Sequence, residues 1–181
     1  MPDSNRNRRL FPWLALLACA IVLPVAAQEG GYRGIKEDLP LEGDPQPVPF
    51  SHKVHMAAGT ACKDCHPNAA VKERAGLPTA EKCMLCHQAI AADKAEIVKL
   101  AEMHNKGGSP EWVRVYKVPD FVFFNHSSHV KAKVECQTCH GPIETRDVLA
   151  KEVSTSMTTC MDCHVERKVS NECNMCHDLG Q

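Results

Sequence analysis

The apolar residues of this chain are unevenly distributed, and the longest apolar stretch lies near the N-terminus. Three arginines within the first nine residues precede an almost purely apolar run over residues 10–27, which ends in Val-Ala-Ala. A basic start, an apolar middle and a small-residue end are typical of a secretory signal peptide. We therefore predict that residues 1–27 are a signal peptide, cleaved before Gln28, and that the rest of the chain is exported.

Two other interpretations of this segment lead to the same compartment. The apolar run has 18 residues, near the lower limit of about 17 for a spanning helix, so an uncleaved membrane anchor is the main alternative. Cys19 follows Leu-Leu-Ala, which loosely resembles a lipidation signal. All three interpretations place the remaining residues in the periplasm or at the outer face of the cytoplasmic membrane.

The pattern beyond the export segment predicts helices and irregular structure. Residues 28–47 are rich in Gly and Pro and indicate an irregular leader. Apolar positions within residues 89–104 recur at partly helical spacing, which predicts a helix that ends near Lys106-Gly107-Gly108. Residues 113–124 are rich in Val, Tyr and Phe but contain a proline, which predicts a short hairpin or edge pair. The fold class is therefore mostly α, with much irregular structure and few short strands.

Composition argues against a nucleic-acid-binding protein and draws attention to the cysteines. The 181 residues carry a formal charge of −1, and without residues 1–27 there are 18 basic against 21 acidic residues. This is not the basic balance of a nucleic-acid binder. Only 5% of the residues are aromatic, whereas eleven are cysteine. Disulfides, metals or covalent cofactors must account for so many thiols.

One motif contains ten of the eleven cysteines. Each of its five copies reads C-x-x-C-H, the attachment sequence of c-type haem. Two thiols three positions apart on a helical turn reach the two vinyl groups of one porphyrin, and the adjacent imidazole reaches the iron. We therefore predict five covalently bound haem c groups. The attachment cysteines are Cys62, Cys65, Cys83, Cys86, Cys136, Cys139, Cys160, Cys163, Cys173 and Cys176, and the proximal ligands are His66, His87, His140, His164 and His177.

Zinc sites and disulfides explain these cysteines less well. A zinc-binding C-x-x-C pair does not require His directly after the second Cys. A disulfide scaffold would not place every exported cysteine in such a pair.

Five further histidines match the five motifs with none to spare, and we predict that they are the second axial ligands. Bis-His ligation fills both axial positions, and it gives lower potentials than ligation by Met. Met157, three residues before Cys160, is the alternative ligand if His104 does not serve. The five candidates are His52, His55, His104, His126 and His129.

Part of the sequence occurs twice with identical spacing. An F-x-H-x-x-H segment begins at Phe50, twelve residues before Cys62, and another begins at Phe124, twelve residues before Cys136. Such spacing indicates one structural unit used twice. The two histidines of each segment lie on one face of a helical turn, so they can serve two neighbouring haems.

The F-x-H-x-x-H segment followed by C-x-x-C-H resembles the class III cytochromes c, which are small tri- and tetrahaem periplasmic proteins, over about residues 48–181. Residues 111–126 are similar to the pentahaem subunit of alternative complex III, a membrane quinol oxidoreductase, and to related quinone-linked multihaem subunits. The resemblance implies a class III multihaem cytochrome c fold organised around covalent haems. It also implies redox protein partners, among them a membrane quinol or quinone oxidoreductase complex.

The same resemblance implies which histidines share an iron. In trihaem members of the family, the first His of the pair ligates the haem that directly follows it, and the second ligates the next haem. This chain departs from the family at Ser156 and Met157, where a distal His would stand before the second motif. The implied pairs are His52 with His66, His55 with His87, His126 with His140, His129 with His164 and, by what is left, His104 with His177.

These observations together predict a periplasmic pentahaem cytochrome that transfers electrons through low-potential bis-His haems and is not an enzyme. Residues 48–108 would form a first unit with two haems, and residues 109–181 a second unit with three. A multihaem reductase is the alternative, but it needs an open iron position, and the sequence offers a His for each. We expect no nucleic-acid partner, whereas the N-terminal segment provides a means of membrane association.

Overall fold

The computed structural model describes residues 39, 41–42 and 45–178. These residues belong to one compact unit. The predicted signal peptide and most of the predicted leader lie outside them. Within the described residues, no helix is both long enough and apolar enough to cross a membrane.

Short helices joined by irregular segments make up the described part of the chain. The longest helix has 11 residues, and two two-residue strands pair antiparallel, with Leu41 opposite Lys151. The predicted class, mostly α with few short strands, is therefore confirmed. The α-helices are α1 His52–Ala57, α2 Cys62–Cys65, α3 Ala80–His87, α4 Ala95–Asn105, α5 His126–Lys131, α6 Cys136–His140 and α7 Met157–Glu166; the strands are β1 Leu41–Glu42 and β2 Ala150–Lys151; and 3-10 helices span Pro67–Ala70, Ile143–Thr145 and Cys173–Met175.

Polar capping residues begin four of these helices. In each case a side-chain oxygen accepts the backbone N–H three residues further along the chain. A cap of this kind stabilises a helix by about 1 kcal/mol, which matters for helices that are too short to be stable alone. The capping residues are Ser51 before α1, Thr79 before α3, Asn125 before α5 and Ser156 before α7.

The predicted helix over residues 89–104 is correct at its end and wrong at its start. Helix α4 begins at Ala95, because the chain first turns through Ala91, whose φ is +55°. It ends at Asn105 and is followed by Gly107 with a φ of +72°, as the glycine pair predicted.

The predicted hairpin over residues 113–124 is wrong. This segment contains no strand, and Val122 makes only an isolated bridge to His177. Its aromatic side chains contact predicted haem ligands instead of one another: Tyr116 meets His140, and Phe121 meets His177. The Val, Tyr and Phe content therefore serves the histidine sites and not a sheet.

The described part of the polypeptide buries very little apolar surface of its own. Among the described residues, the buried hydrophobic side chains are Val48, Ala80 and Leu100, and no large side chain is fully buried. Large apolar residues such as Leu85 and Phe121 are 62% and 67% exposed. A domain of this size normally needs a substantial apolar core, so the described chain leaves space and apolar surface for large cofactors. The division into units 48–108 and 109–181 stays a prediction.

Candidate haem-binding sites

The cysteine pairs lie on helical turns, as the attachment chemistry requires. Four motifs lie on or at the end of α2, α3, α6 and α7, and the fifth lies on the 3-10 helix Cys173–Met175. In the first motif the N–H of His66 donates to the carbonyl of Cys62 at 2.9 Å, and His177 does the same with Cys173 at 3.0 Å. The ten cysteines of the described part are free thiols. Each motif thus presents two thiols and an imidazole from one turn.

In three of the predicted histidine pairs, the two imidazole rings face each other across a gap, and the distance between the ring centres is similar in all three. A metal–imidazole bond is about 2 Å long, so two imidazoles on opposite sides of one ion have ring centres about 6 Å apart. The spacing of these three pairs therefore fits one iron each. The ring centres are 6.0 Å apart for His55 and His87, 6.4 Å for His126 and His140, and 6.2 Å for His129 and His164.

His52 and His66, the pair predicted for the first motif, are also neighbours. The pKa of His52 is lowered first by burial and then by the adjacent positive charges of His66 and His55. His52 also lies edge-on to the ring of Phe50, with ring centres 4.9 Å apart. Three of the five implied pairs thus face each other, and the members of a fourth lie near each other.

Most of these imidazoles are held through one nitrogen that points away from the gap. Because a carbonyl oxygen can only accept, Nδ1 must carry the proton, and this leaves the Nε2 lone pair free to bind a metal. A second hydrogen bond of this kind fixes the tautomer and the ring orientation of a metal ligand. Seven rings donate from Nδ1 to a backbone carbonyl at 2.7–3.3 Å: His55, His66, His87, His126, His129, His164 and His177.

The phenylalanine of each F-x-H-x-x-H segment supports the second histidine of that segment. Phe50 stacks on His55 with ring centres 4.3 Å apart, and Phe124 stacks on His129 at 4.6 Å. The interplanar angles of 23° and 27° are similar. The repeated Phe therefore has a positional role, because it limits rotation of a candidate ligand ring.

Tyr116 supports the third motif, although it lies outside every C-x-x-C-H and F-x-H-x-x-H pattern of the sequence. Its hydroxyl donates to the carbonyl of His140 at 2.9 Å and accepts the N–H of Glu152 at 3.0 Å. Its ring lies edge-on to the imidazole of His140, with centres 4.7 Å apart. Its only signal in the sequence is its place in the segment that resembles quinone-linked subunits.

Burial favours the neutral form of one proximal histidine and of five cysteine thiols. Burial, with the nearby charges of His126 and His66, lowers the pKa of His140 to about 4. That ring is therefore neutral at neutral pH, and neutral imidazole is the form that binds metals. Burial also raises the pKa of the cysteine thiols at Cys65, Cys83, Cys136, Cys139 and Cys160.

The structure does not bring the fifth implied pair together. His104 lies near the end of α4 and lines a cavity of about 390 Å³ together with Met84 and His87. His177 instead donates to the carbonyl of Phe121 at 3.3 Å and contacts the ring of that residue. Met157, the alternative ligand, is the first residue of α7 and is 44% exposed.

The described residues offer no ready zinc site. In residues 45–178, no three His, Cys, Asp or Glu side chains converge as a metal-binding group. Zinc in structural sites requires four ligands in a tetrahedral arrangement. The donor set is instead one of thiol pairs and opposed imidazoles, and this arrangement fits haem c.

Comparison with known families agrees with this geometry. The family model of the class III cytochrome c family matches residues 34–117, and the model described as cytochrome c7 and related cytochrome c matches residues 122–178. Over these two ranges, which together take in most of its length, the chain resembles the class III multihaem cytochromes c. Proteins of this family hold haem c covalently, so the cytochrome fold and the haem cofactor that the sequence predicted are confirmed.

Two curated relatives of this cytochrome come from Nitratidesulfovibrio vulgaris strain Hildenborough. The multiheme cytochrome c subunit of menaquinone reductase is 29% identical over 160 residues, which cover 73% of this chain and 76% of the relative. High-molecular-weight cytochrome c is 25% identical over 161 residues, which cover 73% of this chain but only 29% of that larger relative. The predicted likeness to quinone-linked multihaem subunits is thus confirmed, and the cytochrome is an electron-transfer protein and not a catalytic enzyme.

Proposed function

We propose that this cytochrome carries five haem c groups and transfers electrons as an exported subunit of a quinone-linked membrane complex. One observation carries the proposal: opposed imidazoles about 6 Å apart accompany three of the C-x-x-C-H motifs. Haem supplies reversible one-electron chemistry, and the chain contributes attachment, axial ligation and orientation.

The proposed ligands follow from the geometry of each motif. Every motif provides two thioether cysteines and one proximal histidine. Three motifs also have an opposed histidine, and the first motif has His52 near its proximal histidine. Both axial positions of those four irons are filled by imidazole, which favours low potentials and excludes substrates from the iron. The proposed axial pairs are His52–His66, His55–His87, His126–His140 and His129–His164, and the fifth haem binds to His177.

Export and partnership rest on two other observations. Residues 1–27 have the pattern of a secretory signal, and haem attachment at C-x-x-C-H motifs suits a periplasmic protein. The relative of similar length is a subunit of menaquinone reductase. We therefore place the cytochrome at the outer face of the cytoplasmic membrane, where it exchanges electrons with a quinone-reactive partner and with other redox proteins.

Intact-mass spectrometry of the mature protein tests the haem count and the export signal together. The protein should be made in a host with working cytochrome maturation. We expect the mass of residues 28–181 plus five haems, and a low-spin absorption spectrum. A colourless protein, or one with fewer than five haems, would contradict the proposal.

Native electrophoresis with haem staining tests the partnership. Detergent-solubilised membranes of the source organism should show the cytochrome in a band much larger than one copy of the protein, whose 181 residues have a mass of 19.9 kDa before cleavage. A stained band at the mass of the single chain alone would show that the cytochrome is a shuttle and not a subunit.

A further inference from the structure

The two sequence repeats contact each other reciprocally. The first repeat is residues 50–66 and the second is residues 124–140, so equivalent positions differ by 74. The N–H of Lys53 donates to the carbonyl of Arg146 at 3.0 Å, and the N–H of Ser127 donates to the carbonyl of Lys72 at 3.1 Å. Adding 74 to Lys53 and to Lys72 gives Ser127 and Arg146, so these two hydrogen bonds are equivalent.

The packing of the helices shows the same reciprocity. Helix α1 of the first repeat packs on the 3-10 helix Ile143–Thr145, which follows the second repeat. Helix α5 of the second repeat packs on the 3-10 helix Pro67–Ala70, which follows the first. An element of the first unit contacts an element of the second unit, and the equivalents of these two elements make the same contact in the opposite direction. Two units that contact each other in this way are related by a two-fold axis, as in an isologous dimer.

Equivalent residues meet near the centre of this arrangement. The thiol of Cys136 lies within reach of a side-chain hydrogen bond to the thiol of Cys62, its equivalent in the first repeat. His66 likewise lies close to His140, its own equivalent. Contact between equivalent residues is expected only close to a two-fold axis. The first and third motifs are therefore neighbours.

The second and fourth motifs lie on the outer sides of this central pair. His52 and His55 are one turn apart on α1, and side chains at i and i+3 are separated by only about 5–6 Å at Cβ. The ring of His55 faces His87 of the second motif. The same relation holds for α5, where His129 faces His164 of the fourth motif. Each repeat thus places its own motif beside the following one.

The fifth motif has no equivalent in the first half of the chain and lies beside the fourth. Asn171, two residues before Cys173, donates from Nδ2 to the carbonyl of Met161 in α7 at 3.0 Å. His164 donates from Nδ1 to the carbonyl of Ser170 at 2.8 Å. These contacts fold the segment before the fifth motif against the helix of the fourth.

We infer that the two repeats form an internal pseudo-two-fold pair, and that the haem sites follow one another in space in the order second, first, third, fourth, fifth. The order differs from that of the sequence, because the two repeats meet through the motifs that they contain, which are the first and the third motif of the chain. The second and fifth sites are the two ends. This inference rests on the proposed function, since it assumes that all five motifs hold haem.

Nuclear Overhauser spectroscopy of the fully reduced holoprotein tests the order directly. Ferrous bis-His haems are low-spin and diamagnetic, as is the fifth haem once carbon monoxide fills the position opposite His177. The thioether protons of each haem then give cross-peaks to the β-protons of two cysteines in one known motif, which assigns it. We expect cross-peaks between the substituents of the first and second, first and third, third and fourth, and fourth and fifth haems. The uniformly labelled wild-type protein suffices, so no variant has to fold.

Two outcomes separate this inference from the proposed function. Five attached haems with cross-peaks that link the second haem to the third, and none between the first and third, would overturn the spatial order and leave the proposed function intact. A protein that lacks covalent haem would overturn both.

Discussion

Seven of the ten histidines are anchored through a ring nitrogen by the backbone. A backbone carbonyl holds Nδ1 in each of these seven, and in each repeat a phenylalanine stacks on one ring. Such anchoring reduces the rotamer freedom that a ligand would lose on binding metal. Replacement of an anchored histidine should therefore change the spin state of a haem, whereas replacement of a histidine that lacks an opposed partner should not.

The matched variants His55→Ala and His104→Ala test this difference. His55→Ala removes an imidazole that faces His87 at 6.0 Å, so about one quarter of the low-spin signal, which comes from the four bis-His haems, should become high-spin while covalent attachment persists. His104→Ala should leave the low-spin signal unchanged, because no ring contact joins His104 to His177 among the described residues. Electron paramagnetic resonance of the oxidised proteins measures both. Loss of low-spin signal in His104→Ala would restore the pairing that the sequence implied.

Tyr116→Phe should destabilise the protein without loss of haem. It leaves the carbonyl of His140 and the N–H of Glu152 without their partner. Unpaired polar groups in a part-buried site cost about 1–3 kcal/mol, which lowers Tm by roughly 2–12 °C in a protein of this size. Thermal circular dichroism measures the shift. The control is Thr155→Val, whose exposed hydroxyl lies 3.5 Å from the carbonyl of Lys117, and equal shifts in both variants would contradict a special role for Tyr116.

Residue types were predictable at the sites, but their supporting contacts were not. The C-x-x-C-H spacing names thiols and proximal imidazoles because attachment chemistry permits little variation. The roles of Tyr116 and of the carbonyls at Glu73 and Gly76 depend on which distant segments meet. A backbone carbonyl leaves no trace in the sequence, so only the fold reveals it.

At the scale of elements, the two repeats share a detail of chain geometry beyond their helices. Gly59 follows α1 with a φ of +90°, and Lys133, its equivalent, follows α5 with a φ of +56°. Left-handed backbone is free of penalty for glycine but costs roughly 1 kcal/mol for a residue with a Cβ. The second repeat therefore has a lysine at a left-handed turn position where the first repeat has the more suitable glycine.

Exchanging these residues should move stability in opposite directions. Lys133→Gly should stabilise the protein by about 0.5–1 kcal/mol, net of the entropy that glycine adds to the unfolded chain, and Gly59→Lys should destabilise it by a similar amount. A Cβ at Gly59 would meet no heavy atom within 4 Å, so only the backbone is at issue. Tm values of the two holoproteins against the wild type measure this. A fall in Tm for Lys133→Gly would refute the argument.

Element boundaries were less predictable where haem sites replace ordinary packing. Apolar periodicity suggested a helix from Ala89 and a hairpin over residues 113–124, but periodicity assumes that apolar side chains pack against other elements. Here Tyr116 and Phe121 pack on imidazoles. The end of α4 was predictable because a glycine pair stops a helix locally, whatever the tertiary partners are.

At the scale of the whole molecule, the part of the polypeptide that the structure describes lacks the apolar interior of an ordinary domain. Val48, Ala80 and Leu100 are the buried hydrophobic residues of the described part. Burial of a few such side chains contributes only several kcal/mol, far below the conformational entropy that well over a hundred ordered residues lose. Haem binding must supply much of the folding free energy, as metals do in small metallodomains.

The haem-free chain should therefore be largely unfolded. Residues 28–181 produced in the cytoplasm of a host without cytochrome maturation should show little helix in far-ultraviolet circular dichroism and no cooperative thermal transition. The holoprotein from a maturation-competent host is the control. Native helix content and a sharp transition in the haem-free chain would show that the polypeptide folds by itself.

The fifth motif breaks the equivalence of the two halves. Four sites related by a two-fold axis alone would have interchangeable ends. In this cytochrome, the helix of the second motif is covered by the eleven-residue α4, whereas the other end finishes in the three-residue 3-10 helix Cys173–Met175. The two ends of the row of haem sites thus differ in shape, and an electron donor and an electron acceptor can each recognise a different end.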